Sequence, residues 1–261
     1  MKLKSLLTKT AQILLFLGFE PRRTLSLRNL PEFFSHRKLF ARNGGKITHN
    51  YPILTDFSNS AGTAKGHYFH QDLLVANFIY KSNPTRHIDI GSRIDGFVAH
   101  VAAFRKIETV DIRPLHNTAH SNIKFLQKDV MKDDDSEPEI TDSISCLHAI
   151  EHFGLGRYGD PIDPKGHIKG FNNILKMLKV GGTLYISFPI GIANEVHFNA
   201  HRVFKADDIF SWTDDGIGLE LLRFDYVDDG GDLLLNVPIE SALSNISYGC
   251  GIYTLKKLPH Q

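Results

Sequence analysis

The sequence predicts an α/β domain built on a mostly parallel β-sheet. Three observations carry this expectation. From Asp72 onward, short apolar runs alternate with segments of helical period, the order produced by a parallel sheet with covering helices. Three of the early runs close on an acid, at Asp89, Asp111 and Asp129. The last two runs, 219–227 and 248–256, have no helical segment between them, so they are expected to pair antiparallel at one edge.

The elements follow in chain order. Residues 3–17 set Leu3, Leu6, Leu7, Ile13, Leu14 and Leu17 among lysines. This is an amphipathic helix that suits an anionic membrane surface, the protein's own core or a partner subunit equally well. The apolar run 13–19 is far shorter than the ~20 residues that span a bilayer, and no small-residue cleavage site follows it. Pro21, Pro31 and Gly44-Gly45 punctuate residues 20–66, which read as an irregular extension. The expected organisation is a basic extension over 1–66 and one domain over 67–261. Residues 72–81 read as a helix, 86–90 as a strand and 96–104 as a helix. Strands are expected over 108–112, 123–130 and 140–150, then a helix over 168–178 that Gly181-Gly182 ends. Residues 183–188 form a continuous apolar strand, buried on both faces, and 206–212 a further helix.

Composition narrows the class. The chain has 261 residues, 42% apolar and 23% charged, ordinary values for a globular protein with a sizeable core. Two cysteines, Cys146 and Cys250, exclude a disulfide framework and suit a reducing compartment. No Cys/His spacing matches a zinc pattern, and His67, His70 and Asp72 fit no strong metal motif, so no metal is expected. Residues 1–50 carry ten Lys/Arg and two acids, a net charge of +8, against −7 for the remainder. A basic head on an acidic body suggests different partners for each. The body lacks a basic stripe with interleaved aromatics, which argues against nucleic acid. The runs Asp133-Asp134-Asp135 and Asp225, Asp228, Asp229 and Asp232 read as solvated turns.

Chemistry is expected beyond the carboxyl ends of the strands, where doubly wound sheets bind ligands. The string DIGSRIDG at 89–96 is a glycine turn that lets backbone N–H groups approach a polar ligand. Asp111 stands 22 positions after Asp89, placed for ribose hydroxyls. Asp129 ends the third strand, placed for an adenine amino group. The incomplete G-x-G-x-x-G argues against a nicotinamide dinucleotide. His152, Arg157, Tyr158 and Asp160 follow the fourth strand in a loop punctuated by Gly154, Gly156 and Gly159. His197, Asn199, His201 and Arg202 follow the fifth. Both loops leave strand carboxyl ends, so they can converge. His152 or His201 suits a general base near neutral pH, and Arg157 and Arg202 suit an anionic part of a substrate. His67 and Tyr68, before the first helix of the domain, are candidates to touch cofactor or substrate. Each histidine taken alone also reads as a structural residue, and with fourteen of them chance clustering is common.

This set resembles the class I S-adenosylmethionine-dependent methyltransferases. Asp89 and Gly91 match the start of that family's glycine-rich loop, Asp111 its ribose acid and Asp129 its adenine-side acid. LKVGGTLYISFP at 178–189 looks like its fifth strand, and AIEH at 149–152 resembles its post-strand-four motif. The likeness covers about 70–257. It implies a Rossmann-like, seven-stranded, mostly parallel sheet with an antiparallel edge strand. It also implies S-adenosylmethionine as cofactor, held by Asp89, Gly91, Ser92, Arg93, Asp111, Ile112, Asp129, Val130 and His148. Methyl transfer to a hydroxyl would use His152, His201 and Asp160, with His67, Tyr68, Arg157, Tyr158, His197 and Arg202 on the substrate. Arg93 departs from the pattern, standing where the family has a second glycine.

The strings at 89–97, 111–115, 148–160 and 198–204 resemble a bacterial domain-of-unknown-function family (DUF268-like) met among surface-polysaccharide genes. That likeness implies a methyltransferase-like fold and a glycan link, hence a sugar-nucleotide or glycan substrate. The cysteine usage suits a cytoplasmic enzyme, the basic residues 1–50 would hold it near the inner membrane, and an oligomer is possible. Two other readings fit the same residues. One is a non-methylating enzyme on a nucleotide-sugar. The other is a non-catalytic, membrane-docked scaffold of a glycan-assembly complex.

Overall fold

The computed structural model describes residues 18, 21–116, 118–132, 138–213, 217–244 and 246–259. The chain divides into two compact units, Met1–Thr63 and Ala64–Gln261. The first unit contains α1 (Pro21–Ser26), a 3-10 turn and α2 (Leu30–Arg42). These helices fall within the stretch expected to be an irregular or helical extension. Pro31 stands in the first turn of α2, where the missing N–H has no helical partner and the fixed φ suits the helix. The helix expected over 3–17 and the run Asp133-Asp134-Asp135 lie outside the described residues.

The second unit holds a sheet of eight strands in the order β3-β2-β1-β4-β5-β10-β8-β9. Five pair parallel with one another: β1 (His87–Ile90), β2 (Ile107–Asp111), β3 (Ile123–Gln127), β4 (Thr141–Leu147) and β5 (Leu178–Ile190). β8 (Leu219–Val227) and β10 (Gly249–Lys257) do pair antiparallel, but β10 enters between β5 and β8, antiparallel to both. The antiparallel strand expected at the edge therefore lies inside the sheet. Its residues are almost all buried, and a buried strand needs a partner along each edge for its backbone N–H and C=O groups. The eighth strand, absent from the seven-stranded expectation, is the two-residue β9 (Leu233–Leu234), antiparallel to β8. β6 (Glu195–His197) and β7 (His201–Val203) form a separate hairpin.

The other described α-helices are α3 (His67–Ser82), α4 (Ala99–Ala102) and α5 (Gly166–Met177). The helix expected over 96–104 is shortened, because a kink at Gly96 breaks the turn Ile94–Val98 before α4 begins. The helix expected over 206–212 is a single 3-10 turn, Asp208–Ser211, which suffices to bury Ala206, Ile209 and Trp212. α5 stops at Met177, and Leu178 is already extended, so β5 starts before the glycine pair. One sheet face packs Ile144, Ile186 and Phe188 with Phe171, Ile174 and Trp212. The other packs Leu147, Tyr185 and Ile252 with Val75, Ile79, Phe97 and Val101. The covering elements hold the strand carboxyl ends in register, and there the chain opens.

Candidate active site

A cavity of about 410 Å³ lies over the carboxyl ends of β1, β2, β4 and β5. β1 sits between β2 and β4, so this is the place where strand order reverses, the usual ligand crevice of such sheets.

Its floor rests on a buried polar network. Asp89 is fully buried. One carboxylate oxygen accepts from the hydroxyls of Ser92 and Ser145, both at 2.6 Å, and the other from the Ser92 N–H at 3.1 Å. Burial pushes the Asp89 carboxyl up to about 6, against the pull of these hydrogen bonds. The Ser92 hydroxyl accepts from Leu147 N–H at 3.2 Å, tying the loop to β4. Asp89 and Ser92, expected as cofactor contacts, lie instead beneath the cavity, because their polar atoms are used inside the fold. They position the loop above them. Gly91 lines the cavity with φ +70°, and a Cβ there would stand 2.9 Å from Ala149 Cβ. Glycine meets both demands. Arg93 reaches the rim, where it pairs with Asp95 at 3.0 Å and lies 5.7 Å from the ring of half-exposed Tyr68.

The nucleoside-side acids differ in their partners. Asp111 takes two bonds from the Arg113 side chain, at 3.0 and 2.6 Å, and one from its backbone N–H at 2.8 Å. Asp129 Oδ1 accepts from Met131 N–H at 3.0 Å, but Oδ2 is buried with no partner. Ile112 and Val130 supply apolar cavity wall beside these acids.

The opposite wall follows β4. His148 adopts φ +49°, and its Nδ1 lies 2.7 Å from Glu151 Oε1. Burial disfavours its cation, yet the Cys250 sulfur and the Glu151 carboxylate more than offset that, so its pKa stands well above the ordinary imidazole value. Burial raises Glu151, but the charge and hydrogen bond of His148, with His152 and a backbone N–H, together outweigh it and leave the carboxyl below its ordinary value. His67 stacks on His148 with centroids 5.2 Å apart and planes 8° apart. Burial, then the His148 charge, lower His67 to about 4.

His152 Nδ1 donates to the Ala200 carbonyl at 2.7 Å, which leaves the lone pair on Nε2. Burial lowers its pKa, so the ring is neutral at pH 7. His201 also lines the cavity. Its Nε2 is 3.3 Å from the Tyr248 hydroxyl, and its pKa is lowered, chiefly by burial. Tyr158 is flanked by two guanidiniums, Arg113 at 4.3 Å and Arg157 at 5.2 Å.

Three expected site residues have other work. Asp160 borders the cavity, but its carboxylate accepts the N–H groups of Gly154, Gly156 and Tyr158 at 2.9–3.1 Å. It shapes the loop, Oδ2 accepting two of these groups and Oδ1 one. Arg202 is buried and donates to the carbonyls of Glu151, Phe153, Asp163 and Pro164. It clamps the loop and presents no charge to a substrate. His197 stands outside the cavity on the hairpin, its Nε2 2.7 Å from the exposed Glu195.

Glu151, Arg113, Tyr248 and Cys250 were not expected at the site. Glu151 and Arg113 sit inside recognised strings, and a charged residue within an apolar stretch was the available signal. Tyr248 and Cys250 carry no local signal: the β10–β5 register, with Gly249 opposite Ile190 and Cys250 opposite Pro189, brings them here.

The sheet order, the crevice at its reversal and the glycine loop define a Rossmann-like, doubly wound α/β fold. Residues 99–208 match the family model described as "Caenorhabditis protein of unknown function, DUF268", and over that stretch the chain is similar to this family. No curated protein sequence matches. Among solved structures, the [4+2]-cyclase SpnF is 13% identical, aligning 90% of this chain with 97% of its own at a TM-score of 0.51. That likeness is one of fold. A putative sarcosine dimethylglycine methyltransferase from Galdieria sulphuraria aligns at 14% identity, 84% and 97% coverage and TM-score 0.49. An O-methyltransferase of a trans-AT PKS multienzyme from Brevibacillus brevis, in complex with S-adenosyl-L-homocysteine, aligns at 16%, 73% and 73%, and 0.48.

Proposed function

We propose that this protein is an S-adenosylmethionine-dependent methyltransferase acting on a hydroxyl of a small anionic acceptor, a sugar nucleotide or a glycan. The observation that carries the reading is the buried, unpartnered Asp129 Oδ2, set beside Ile112, Val130 and Asp111 in one cavity. An orphaned carboxylate oxygen between apolar walls suits an adenine amino group, since leaving it unpaired costs stability. Asp111 suits ribose hydroxyls once Arg113 shares or releases it. The space that a Cβ at Gly91 would fill suits close approach of the backbone loop. S-adenosylmethionine, when bound, supplies a methyl group on a sulfonium centre.

The chain's own residues position the acceptor and take its proton. His152 Nε2 accepts the hydroxyl proton, its tautomer fixed by the Ala200 carbonyl and its neutrality by burial. Arg157 and Arg113, both within cation–π distance of the Tyr158 ring, bind the anionic part of the acceptor. Catalysis is mainly positioning at near-attack distance. The glycan class rests on the family likeness. The two free, buried cysteines and the basic head support a cytoplasmic enzyme resting on the inner membrane. Among the described residues, no helix is long and apolar enough to cross a membrane.

Calorimetric titration with S-adenosylmethionine and S-adenosylhomocysteine tests the reading. Micromolar affinity, about −8 kcal/mol, is expected, and Asp111→Ala and Asp129→Ala should each weaken it by roughly 10- to 100-fold. No binding of either ligand overturns the proposal. A second reading, a non-methylating enzyme on a nucleotide-sugar, rests on the fold alone: the [4+2]-cyclase SpnF shares it, and one fold hosts many reactions. Cofactor binding without methyl transfer to any acceptor would select it.

A further inference from the structure

We propose that His67, His148 and Cys250 bind one divalent transition-metal ion of the zinc type in the wall of the cavity. One ligand atom from each residue lies within 4.8 Å of the other two. The three come from separate elements: the first turn of α3, the end of β4 and the start of β10. Atoms bound to a common ion at about 2.0–2.3 Å stand roughly 3.5 Å apart, so binding draws the widest pair together by about 1 Å at most.

Two further observations point to a cation. His148 Nε2 is buried and has no hydrogen-bond partner, while Nδ1 is held 2.7 Å from Glu151 Oε1. A carboxylate fixing the far nitrogen of an imidazole is the arrangement that orients metal-ligating histidines. Glu151 is itself almost wholly buried, and its Oε2 is also unpartnered. A divalent ion with one thiolate, two neutral imidazoles and the Glu151 carboxylate sums to zero charge, which relieves the cost of isolated charge in this interior. The Cys250 sulfur otherwise makes only contacts of 3.7 Å, to the Gln71 side chain and the Gly251 carbonyl.

Two imidazoles and a thiolate select zinc-type ions over magnesium or calcium, which take oxygen ligands. Both histidines line the cavity, while Cys250 stands fully buried behind them. The fourth coordination position therefore faces the cavity, as in catalytic rather than closed structural sites. There the ion takes an oxygen of the acceptor or of water. On binding, the thiol proton and any proton on His148 Nε2 pass to solvent.

Cobalt(II) titration of the metal-free full-length protein tests this. One Co²⁺ per chain is expected, with a near-ultraviolet thiolate-to-cobalt charge-transfer band, visible tetrahedral bands, and loss of both on adding Zn²⁺. Cys250→Ser should abolish the charge-transfer band. His67→Ala, at the start of α3, should weaken Co²⁺ binding by more than about 100-fold, beyond the cost of losing an outer partner. If Cys250→Ser does not fold, the wild-type band and the His67→Ala titration decide. Absence of saturable binding, a spectrum without a thiolate band, or a band that survives Cys250→Ser overturns the site. S-adenosylhomocysteine affinity measured on the same samples separates this result from the methyltransferase reading.

Discussion

His87 and Asp89 occupy one fully buried file of β1, and their polar atoms form a relay. The Ser145 hydroxyl donates to Asp89 at 2.6 Å, so His87 Nε2–H donates to Ser145 Oγ at 3.1 Å, and Nδ1 accepts from the Ser143 hydroxyl at 2.8 Å. Burial lowers His87 to about 3, from 6.5. Below 6.5 the unfolded chain takes up the proton first, so this stability is present above pH 6.5 and is lost as pH falls toward 3. The loss is about 1.4 kcal/mol per pH unit. Asp89 has the opposite sign: its folded pKa is raised to about 6, so its contribution is full below 3.8 and is lost as pH rises through 6. The difference between proteins isolates His87. The stability margin of wild type over His87→Gln in urea unfolding should shrink by about 2 kcal/mol between pH 7 and pH 5, and a constant margin refutes the assignment. At the proposed base, His152→Ala should lower turnover by roughly 10²- to 10⁴-fold. S-adenosylhomocysteine affinity should stay near wild type, since His152 faces the acceptor.

The element that organises the acceptor side is the loop between β4 and α5. Three glycines with positive φ, Gly154, Gly156 and Gly159, let it curl around the Asp160 carboxylate, while Arg202 ties four of its carbonyls to β7. A Cβ on Gly154 would collide with the Asp163 carbonyl. Asp160→Ala leaves three backbone N–H groups without their acceptor, each costing about 1–3 kcal/mol where water cannot replace it. Its melting temperature should fall together with its activity, whereas His152→Ala should lose far more activity than its smaller fall in melting temperature explains. A stable but inactive Asp160→Ala protein would return Asp160 to a chemical role. Both Asp160 and Arg202 look catalytic in the sequence, because a carboxylate or guanidinium in a glycine-rich loop reads the same whether it meets backbone or substrate.

Across the whole molecule, charge is divided between a head of +8 over residues 1–50 and a remainder of −7. Within the described head, α2 exposes Phe34, Leu39 and Phe40 beside Arg37, Lys38 and Arg42, a combination that suits an anionic bilayer surface. The protein should co-sediment with phosphatidylglycerol vesicles at low salt, and binding should weaken as salt screens the charges. Replacing Arg37, Lys38 and Arg42 by Glu should abolish it. Equal binding to neutral phosphatidylcholine vesicles would contradict an electrostatic anchor.

The sequence by itself determined the alternation of strands and helices, the glycine turn after β1 and the acids Asp111 and Asp129 at the cavity. These are written in local periodicity and in spacing along the chain, which one strand or one turn enforces. It also signalled the antiparallel pairing of β8 and β10, through the missing helix between them. Only the tertiary structure decided that β10 enters inside the sheet, carrying Tyr248 and Cys250 to His148 and His67. It alone divided the polar residues into those that hold loops, such as Asp89, Asp160 and Arg202, and those that face the cavity, such as Asp129 and His152. The reason is physical. A side chain's identity is local, but its hydrogen-bond partner is set by strand order and register, and residues distant in the chain decide both.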